Sequence, residues 1–238
     1  MKVVAIVQAR LGSTRFPEKV LKKILNKPML IILLKRLSLA KTLNKIIVAI
    51  PKNKKNNKLG ALIKKNKFSC FRGSELNVLE RYYKTAKKYK ADIIVRVTSD
   101  NPLTDPNLID KIVSKLKKEK RDYVNSSFPN YPLGIGAEAF TFKAISKIIH
   151  LAKSKYHKEH VTSYFRANKK NYKISKLDGL KVYAKYRLTI DVPLDFKVVE
   201  SIFNFFKPDI SFNFKKIVKL FKKNPKLFLD NKHIIQNK

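Results

Sequence analysis

The chain has 238 residues, of which 44% are hydrophobic and 11% aromatic; this composition excludes a disordered protein and allows one large α/β domain with a sizeable core. The longest apolar stretch, residues 29–34, is too short to cross a bilayer. The single cysteine, Cys70, excludes an internal disulfide and favours a reducing cytoplasm, and we interpret it as a small buried apolar residue.

The formal net charge of +37 would suit a nucleic-acid-binding protein, because basic surfaces attract polyphosphates. The basic residues are mostly Lys, however, and they are spread along the whole chain, which is typical of compositional drift. We therefore expect no specific nucleic-acid partner. The alternative is a non-catalytic basic protein that binds nucleic acid, although the sequence has neither aromatic-rich strand motifs nor a zinc signature.

Strand-like and helix-like segments alternate through the first half of the chain. Residues 3–7 form a continuous apolar run, as expected for a parallel strand that is buried on both faces. The alternation predicts an α/β fold, with a mostly parallel sheet and helices on both of its faces. Further strands are predicted over residues 46–50, 69–71, 93–98 and 123–125, and helices over residues 29–40, 59–65, 78–89 and 108–118.

The second half is less regular and contains neither repeats nor a low-complexity linker. We expect one domain over residues 1–238, with a substrate or dimerisation segment at about 128–180. Strands are predicted over residues 139–142, 172–177 and 186–190, and helices over residues 144–152, 157–167, 193–206 and 214–223.

The loop after the first strand, residues 8–19, combines positive charge with small polar residues. It lies at the C-terminal end of a buried strand, where open α/β sheets bind ligands. Its chemistry suits a triphosphate, although it lacks the Walker and dinucleotide-binding glycine spacings, and an ordinary polar surface loop is the alternative. The residues concerned are three cations, two hydroxyls and a glycine: Arg10, Arg15, Lys19, Ser13, Thr14 and Gly12.

Two aspartates each follow an apolar run that we assign to the sheet. Asp100 comes after residues 93–98, and Asp191 comes after residues 186–190. Because strand ends in such a sheet face one crevice, we predict that the two carboxylates meet at one Mg²⁺ site. The alternative is that Asp100 only shapes a turn and that Asp191 only caps the following helix.

Glycine and histidine give weaker signals. The chain has only six glycines, and Gly134 and Gly136 lie near strand-like runs, as do Gly12 and Gly73. Such positions either require positive φ or close backbone approach, or are ordinary turns. His157 and His160 lie three residues apart on a predicted helix and could ligate a metal, but we favour packing or a substrate contact.

These motifs together resemble the cytidylyltransferase family that includes CMP-Kdo synthetase and acylneuraminate cytidylyltransferase. The resemblance is closest to the branch called spore coat polysaccharide biosynthesis protein F, and it extends to about Phe206. The motifs that carry it occur in the family's order. They lie at residues 7–19, 26–29, 71–74, 78–83, 100–103, 131–134, 159–162 and 189–195.

The resemblance implies a Rossmann-like sheet of the nucleotide-diphospho-sugar transferase type and the transfer of CMP from CTP to a sugar, which we expect to be acidic, with release of pyrophosphate. It also implies an Mg²⁺ cofactor and a homodimer. A UTP-using transferase or a glycosyltransferase of similar fold is the alternative. The residues implied as catalytic are Arg10, Lys19, Asp100 and Asp191, of which the two aspartates are the metal ligands.

The family also implies two sets of binding residues. The nucleotide-binding set is Ala9, Arg10, Gly12, Ser13, Arg15, Lys19, Arg72, Gly73 and Ser99. The substrate-binding set is Tyr131, Gly134, Glu138, Glu159 and His160.

The sequence departs from the family pattern at four positions. Ser99 stands where the family often has Gly, and Glu18 stands where it usually has a small residue. The related branch tends to have Arg at position 133 and Asp at position 136, where this chain has Leu133 and Gly136. The last two positions fall where the sugar would sit.

Overall fold

A computed structural model describes residues 1–126, 129–179 and 181–234 of the protein. Positions 128 and 180, the predicted limits of the substrate or dimerisation segment, lie outside the described residues. The strands are β1 (Val3–Gln8), β2 (Lys23–Ile24), β3 (Lys27–Pro28), β4 (Lys45–Pro51), β5 (Ser69–Gly73), β6 (Ile93–Thr98), β7 (Tyr123–Asn125), β8 (Glu138–Thr141) and β9 (Ile174–Lys176).

Helices connect most of these strands. They are α1 (Met29–Leu37), α2 (Asn57–Lys65), α3 (Val78–Lys88), α4 (Pro106–Lys118), α5 (Phe142–Leu151), α6 (Lys155–Glu159), α7 (Ser163–Ala167), α8 (Pro193–Phe206) and α9 (Phe214–Lys223). Within the described residues, none of the helices has both the length and the apolar character needed to span a membrane.

The main sheet has the strand order β5-β4-β1-β6-β8-β7-β9. Neighbouring strands are parallel except at β8, which is antiparallel to both β6 and β7. The predicted mostly parallel sheet is therefore confirmed. β1 and β6 lie side by side at its centre, so the loops that follow them emerge at one edge.

Alternate residues of β1 enter two cores, one on each face of the sheet. Val3, Ala5 and Val7 pack with α1, α2, α4, α8 and α9, whereas Val4 and Ile6 pack with α3, α5 and α7. Burial on both faces explains why this strand is a continuous apolar run rather than an alternating one.

Two predicted elements are wrong. Residues 186–190 do not form a strand. Their backbone makes an isolated bridge between Leu133 and Arg187 and a hydrogen bond from the Ile190 N–H to the Asp100 carbonyl at 2.9 Å. The apolar alternation arises because Leu188 and Ile190 are buried in the core without sheet pairing. The predicted helix over 157–167 is the two helices α6 and α7, because the chain turns at Val161, where φ is 41°.

Candidate active site

A cavity of about 590 Å³ lies at the C-terminal ends of β1 and β6. Its wall combines the loop after β1, the loop after β6, the loop before β8 and the segment between α6 and α7. Polar side chains from the loops after β1 and β6, from β8 and from the region of α6 and α7 converge there, as expected for a ligand site at this edge of an open α/β sheet.

The loop after β1 is ordered by its own hydrogen bonds. The Ser13 hydroxyl accepts from the Phe16 N–H at 3.3 Å, and the Leu11 carbonyl accepts from the Ser13 N–H at 2.9 Å. Asn56 braces the loop from outside by accepting from the Leu11 N–H at 3.1 Å. These contacts place Arg10, Ser13 and Arg15 at the cavity wall, together with Lys19.

Lys19 brings the two predicted aspartates together. Its ammonium nitrogen lies 3.0 Å from Asp191 Oδ1 and 3.6 Å from Asp100 Oδ2, and it also donates to the Ile190 carbonyl at 2.5 Å. The two carboxylate oxygens can therefore be no farther apart than the sum of the two ion-pair distances. Asp100 and Asp191 thus share one region of the cavity, although residues 186–190 are not the strand on which the prediction partly rested.

Asp191 is held from behind by a buried network. Arg187 Nη2 donates to Asp191 Oδ2 at 2.8 Å, and Arg187 Nε donates to Asp195 Oδ1 at 2.9 Å. Asn231 Nδ2 donates to the same Asp195 oxygen at 2.8 Å. Burial alone would raise the pKa of Asp191, but Lys19 and the neighbouring guanidinium groups outweigh burial and hold that pKa below its ordinary value.

The rival interpretation of Asp191 as a helix cap is wrong. The cap residue of α8 is Val192, and the carboxylate that accepts from its N–H, at 3.2 Å, belongs to Asp195. Asp195 also accepts from the Asp191 N–H at 2.8 Å. The Asp191 side chain therefore does not cap α8 and contacts cationic side chains instead.

The arrangement fits a hard cation. Asp100 Oδ1 is buried and, within the described part of the chain, accepts no hydrogen bond. A buried oxygen of this kind requires a partner, and Mg²⁺ commonly binds through one or two carboxylates and the substrate's phosphates. No group of three or more His, Cys, Asp or Glu side chains within residues 1–126, 129–179 and 181–234 could hold a metal. The Mg²⁺ site remains a prediction.

A second charged cluster, which we call the Glu138 cluster, consists of Glu138, Arg96, Arg166, Thr162 and Tyr123. Both carboxylate oxygens of Glu138 are engaged: Arg96 donates at 2.5 Å, Arg166 at 3.0 Å and Thr162 at 2.9 Å, and the Tyr123 hydroxyl also donates. Burial alone would raise the pKa of Glu138, but the two guanidinium groups outweigh burial and hold it below its ordinary value. Glu138 is thus saturated by protein donors.

Most of the residues implied by the resemblance line this cavity. The nucleotide-binding candidates that do so are Ala9, Arg10, Ser13, Arg15, Lys19 and Ser99. The substrate-binding candidates that do so are Gly134, Glu138, Glu159 and His160.

Four candidates lie outside the lining: Gly12, Arg72, Gly73 and Tyr131. Gly12 is exposed on the loop after β1. Arg72 is exposed and donates to Asn57 Oδ1 at 2.8 Å, next to Gly73 at the end of β5. The Tyr131 hydroxyl donates to the Asp178 carbonyl at 2.8 Å. The four residues therefore contact solvent or other parts of the protein and do not line the cavity.

Sequence reasoning missed three arginines at the wall: Arg81, Arg96 and Arg166. Arg96 was detectable, because it is the one charged residue in the otherwise apolar or hydroxyl-bearing strand β6. Arg81 lies on α3 within a motif that carried the resemblance, and its guanidinium donates to the Ser74 carbonyl. Arg166 gave no signal, since its partner Glu138 is remote in sequence.

Comparison with known proteins identifies the family. A family model described as cytidylyltransferase matches residues 4–234. The chain belongs to the cytidylyltransferase family. The predicted resemblance and the predicted fold class are both confirmed.

Three similar proteins place this cytidylyltransferase more closely. An uncharacterised protein of Methanocaldococcus jannaschii is 40% identical over 238 residues, which cover 99% of this chain and 97% of that protein. The spore coat polysaccharide biosynthesis protein SpsF of Bacillus subtilis is 32% identical over 232 residues, or 94% and 95% of the two chains. The structure of a cytidylyltransferase from Leptospira borgpetersenii superposes with a TM-score of 0.93 at 30% identity, covering 99% and 100%.

Glu18, which departs from the family pattern, is expected to lower the free energy of unfolding of this cytidylyltransferase. Glu18 has φ 50° and ψ 22°, in the left-handed region. We expect Glu18→Gly to raise the free energy of unfolding by about 1 kcal/mol, because glycine adopts this conformation without a steric penalty. Denaturant unfolding measures the change. Glu18→Ala is the matched control: it also loses the exposed ion pair with Lys58 but keeps the Cβ, so an equal gain would contradict the argument.

The His160 imidazole of this cytidylyltransferase should titrate below its ordinary pKa of 6.5. Partial desolvation at the cavity wall lowers the pKa most, and the nearby Arg96 and Arg166 lower it further against the opposing effect of Glu159. Since the unfolded chain then binds the proton more readily, His160 contributes stability that is lost as the pH falls from about 6.5 through the lower folded pKa. NMR titration should show a higher His160 pKa in Arg166→Gln and no change in Arg121→Gln. A value at or above 6.5 in the parent protein would contradict this.

Proposed function

We propose that the protein transfers CMP from CTP to an acidic sugar, with release of pyrophosphate, in the synthesis of a surface polysaccharide or another glycan. The observation that carries the proposal is the meeting of Asp100, Asp191 and Lys19 in the cavity of a cytidylyltransferase family member. Carboxylates beside a cationic loop provide what nucleotidyl transfer requires, namely a place for a metal and a place for phosphates.

The loop after β1 holds the triphosphate in this proposal. Arg10 and Arg15 are exposed at the cavity wall, where their guanidinium groups can meet phosphate oxygens in paired hydrogen bonds. Lys19 lies deeper, with 11% of its side chain exposed, and supplies a point charge near the two aspartates. These cations would stabilise the negative charge that grows on the departing pyrophosphate.

Asp100 and Asp191 would hold Mg²⁺. The buried Asp100 Oδ1 without a hydrogen-bond partner supports this assignment among the described residues. When bound, the ion would offset charge on the phosphates and polarise the α-phosphoryl group. Arg187 and Asp195 keep the Asp191 carboxylate oriented toward the cavity.

The acceptor would occupy the rest of the cavity, beside Gly134 and His160. One of its hydroxyl oxygens attacks the α-phosphorus in line, so that a new P–O bond forms as the bond to the bridging oxygen breaks. Pyrophosphate leaves with the electron pair of that bond, and the hydroxyl proton passes to solvent. Holding both reactants in one cavity supplies much of the acceleration by orientation alone.

The proposal is tested by measuring pyrophosphate release and detecting CMP-sugar by mass spectrometry. The protein is incubated with Mg²⁺, CTP and either Kdo or N-acetylneuraminate, and UTP is offered in competition with CTP. We expect thermal stabilisation by CTP with Mg²⁺ and a preference for CTP over UTP. An equal response to UTP would point to the uridylyl alternative, and no response to either nucleotide would overturn the proposal.

A further inference from the structure

The acceptor end of the cavity contains two arginines that the phosphates do not require. Arg96 lies on β6, directly opposite Glu138 in the antiparallel pairing of β6 with β8. Arg166 lies on α7, and both arginines line the cavity. Arg96 is four residues before Asp100, so it lies within at most about 14 Å of that residue along the chain. Both arginines therefore line the same cavity as the two aspartates.

Glu138 organises the arginines and is not itself available to a ligand. Both of its oxygens accept hydrogen bonds from Arg96, Arg166, Thr162 and Tyr123. A carboxylate with this many donors is satisfied, and a sugar hydroxyl would have to displace one of them. Glu138 thereby holds the two guanidinium groups close together, although their like charges would otherwise repel each other.

The arginines retain unused capacity. Arg96 donates to Glu138 through Nη1, while its Nε is buried without an acceptor among the described residues. Arg166 presents 46% of its side chain to solvent. Two positive charges face one carboxylate within the cluster, which leaves an excess of one positive charge. The nearby Glu159 lines the same cavity but is exposed, so solvent screens its charge.

We infer that Arg96 and Arg166, braced by Glu138, form the site that binds the carboxylate of the acceptor sugar. The inference rests on the proposed function and assigns its acceptor specificity to two residues. A carboxylate matches the geometry of guanidinium donors and supplies the acceptor that Arg96 lacks. A purely structural cluster would join β6, β8 and α7 without any preference for a charged sugar.

The test uses two sugar acids as probes, Kdo and N-acetylneuraminate, each paired with its methyl ester, which has the same ring but no carboxylate charge. Binding is measured by calorimetry with the full-length protein, Mg²⁺ and an unreactive CTP analogue in which CH₂ replaces the α,β-bridging oxygen. We expect at least one acid to bind more tightly than its ester. In Arg166→Gln that acid should bind roughly 10-fold more weakly or worse, while the ester is unaffected.

Two further variants complete the design. Arg166→Lys keeps the charge and should recover part of the acid's affinity. Arg121→Gln is the matched control, because Arg121 pairs with Glu119 at 2.9 Å as Arg166 pairs with Glu138, but lies outside the cavity wall. It should bind the acid like the parent protein.

Affinity for the CTP analogue separates the two hypotheses. If the parent protein does not bind the analogue, the proposed function fails. If the analogue binds equally well to all variants and neither acid binds better than its ester, the inference about the arginines is overturned. It is also overturned if Arg166→Gln loses acid and ester affinity equally, because that result indicates a structural role.

Discussion

Asp100→Asn and Asp191→Asn are each expected to abolish Mg²⁺-dependent turnover while the protein stays folded. Both carboxylates lie near the Lys19 ammonium, and Asp100 Oδ1 lacks a hydrogen-bond partner within the described residues. Asparagine keeps the shape of the side chain but removes the charge that a hard cation requires. We expect turnover to fall on the order of 10²-fold or more, as for the loss of a group that stabilises charge in the transition state.

Steady-state rates of pyrophosphate release and calorimetric titration with Mn²⁺ measure the two effects separately. Asp110→Asn is the matched control, since Asp110 accepts hydrogen bonds from the Lys41 and Thr42 N–H groups between α1 and β4 and lies outside the cavity wall. If Asp100 and Asp191 only shaped the chain, their variants would lose stability and keep their activity. That outcome would remove the metal site from the proposed mechanism.

The pH dependence of stability follows from the same contacts. The pKa of Asp191 is held below its ordinary value of 3.8, after Lys19 and the guanidinium groups overcome the effect of burial. The stability that this carboxylate contributes is therefore fully present above about 3.8 and is lost as the pH falls through the lower folded pKa. Asp191→Asn should lack that part of the acid transition.

Lys19→Ala is expected to weaken CTP binding roughly 10-fold or more, the effect of losing a charged hydrogen bond of about 1.5–3 kcal/mol. The loss should also lower the free energy of unfolding, because Asp100 and Asp191 would face each other without the intervening ammonium. Arg10→Ala should weaken CTP binding by a similar factor. It should cost little stability, since Arg10 is an exposed residue at the cavity wall.

Calorimetry with CTP and Mg²⁺ gives the affinities, and thermal unfolding gives the stabilities. Lys23→Ala removes the same charge from an exposed position outside the cavity wall and should leave CTP affinity unchanged. If Lys19→Ala and Arg10→Ala both bind CTP like the parent protein, the triphosphate site is not in the loop after β1.

The central sheet could be predicted from the sequence because its strands are marked by burial. β1 and β6 are mostly apolar segments that alternate with amphipathic helices along the chain. Few folds other than a mostly parallel α/β sheet fit this alternation. The strand predicted at residues 186–190 is wrong for a related reason, because burial also occurs outside strands. Leu188 and Ile190 are as buried as strand residues, so periodicity alone cannot separate a strand from an extended segment packed beneath a loop.

Only some of the residues of the candidate site could be predicted from the sequence. Residues contiguous in a motif, such as Arg15 and Lys19, could be placed together because one loop carries them. The Glu138 cluster could not, since it depends on the pairing of β6 with the antiparallel β8 and on the break between α6 and α7. Both are products of tertiary packing, and no spacing along the chain encodes the contact between Glu138 and Arg166.

The backbone around Gly136 limits which residues can replace it. A Cβ at this position would lie 1.9 Å from the Ser126 carbonyl oxygen, a backbone atom that cannot rotate away. The branch that the chain resembles tends to have Asp here. Gly136→Asp is therefore sterically excluded unless the backbone near Ser126 moves. A side chain at position 136 therefore requires a second, coupled change near Ser126, so this end of the cavity cannot be altered by substituting Gly136 alone.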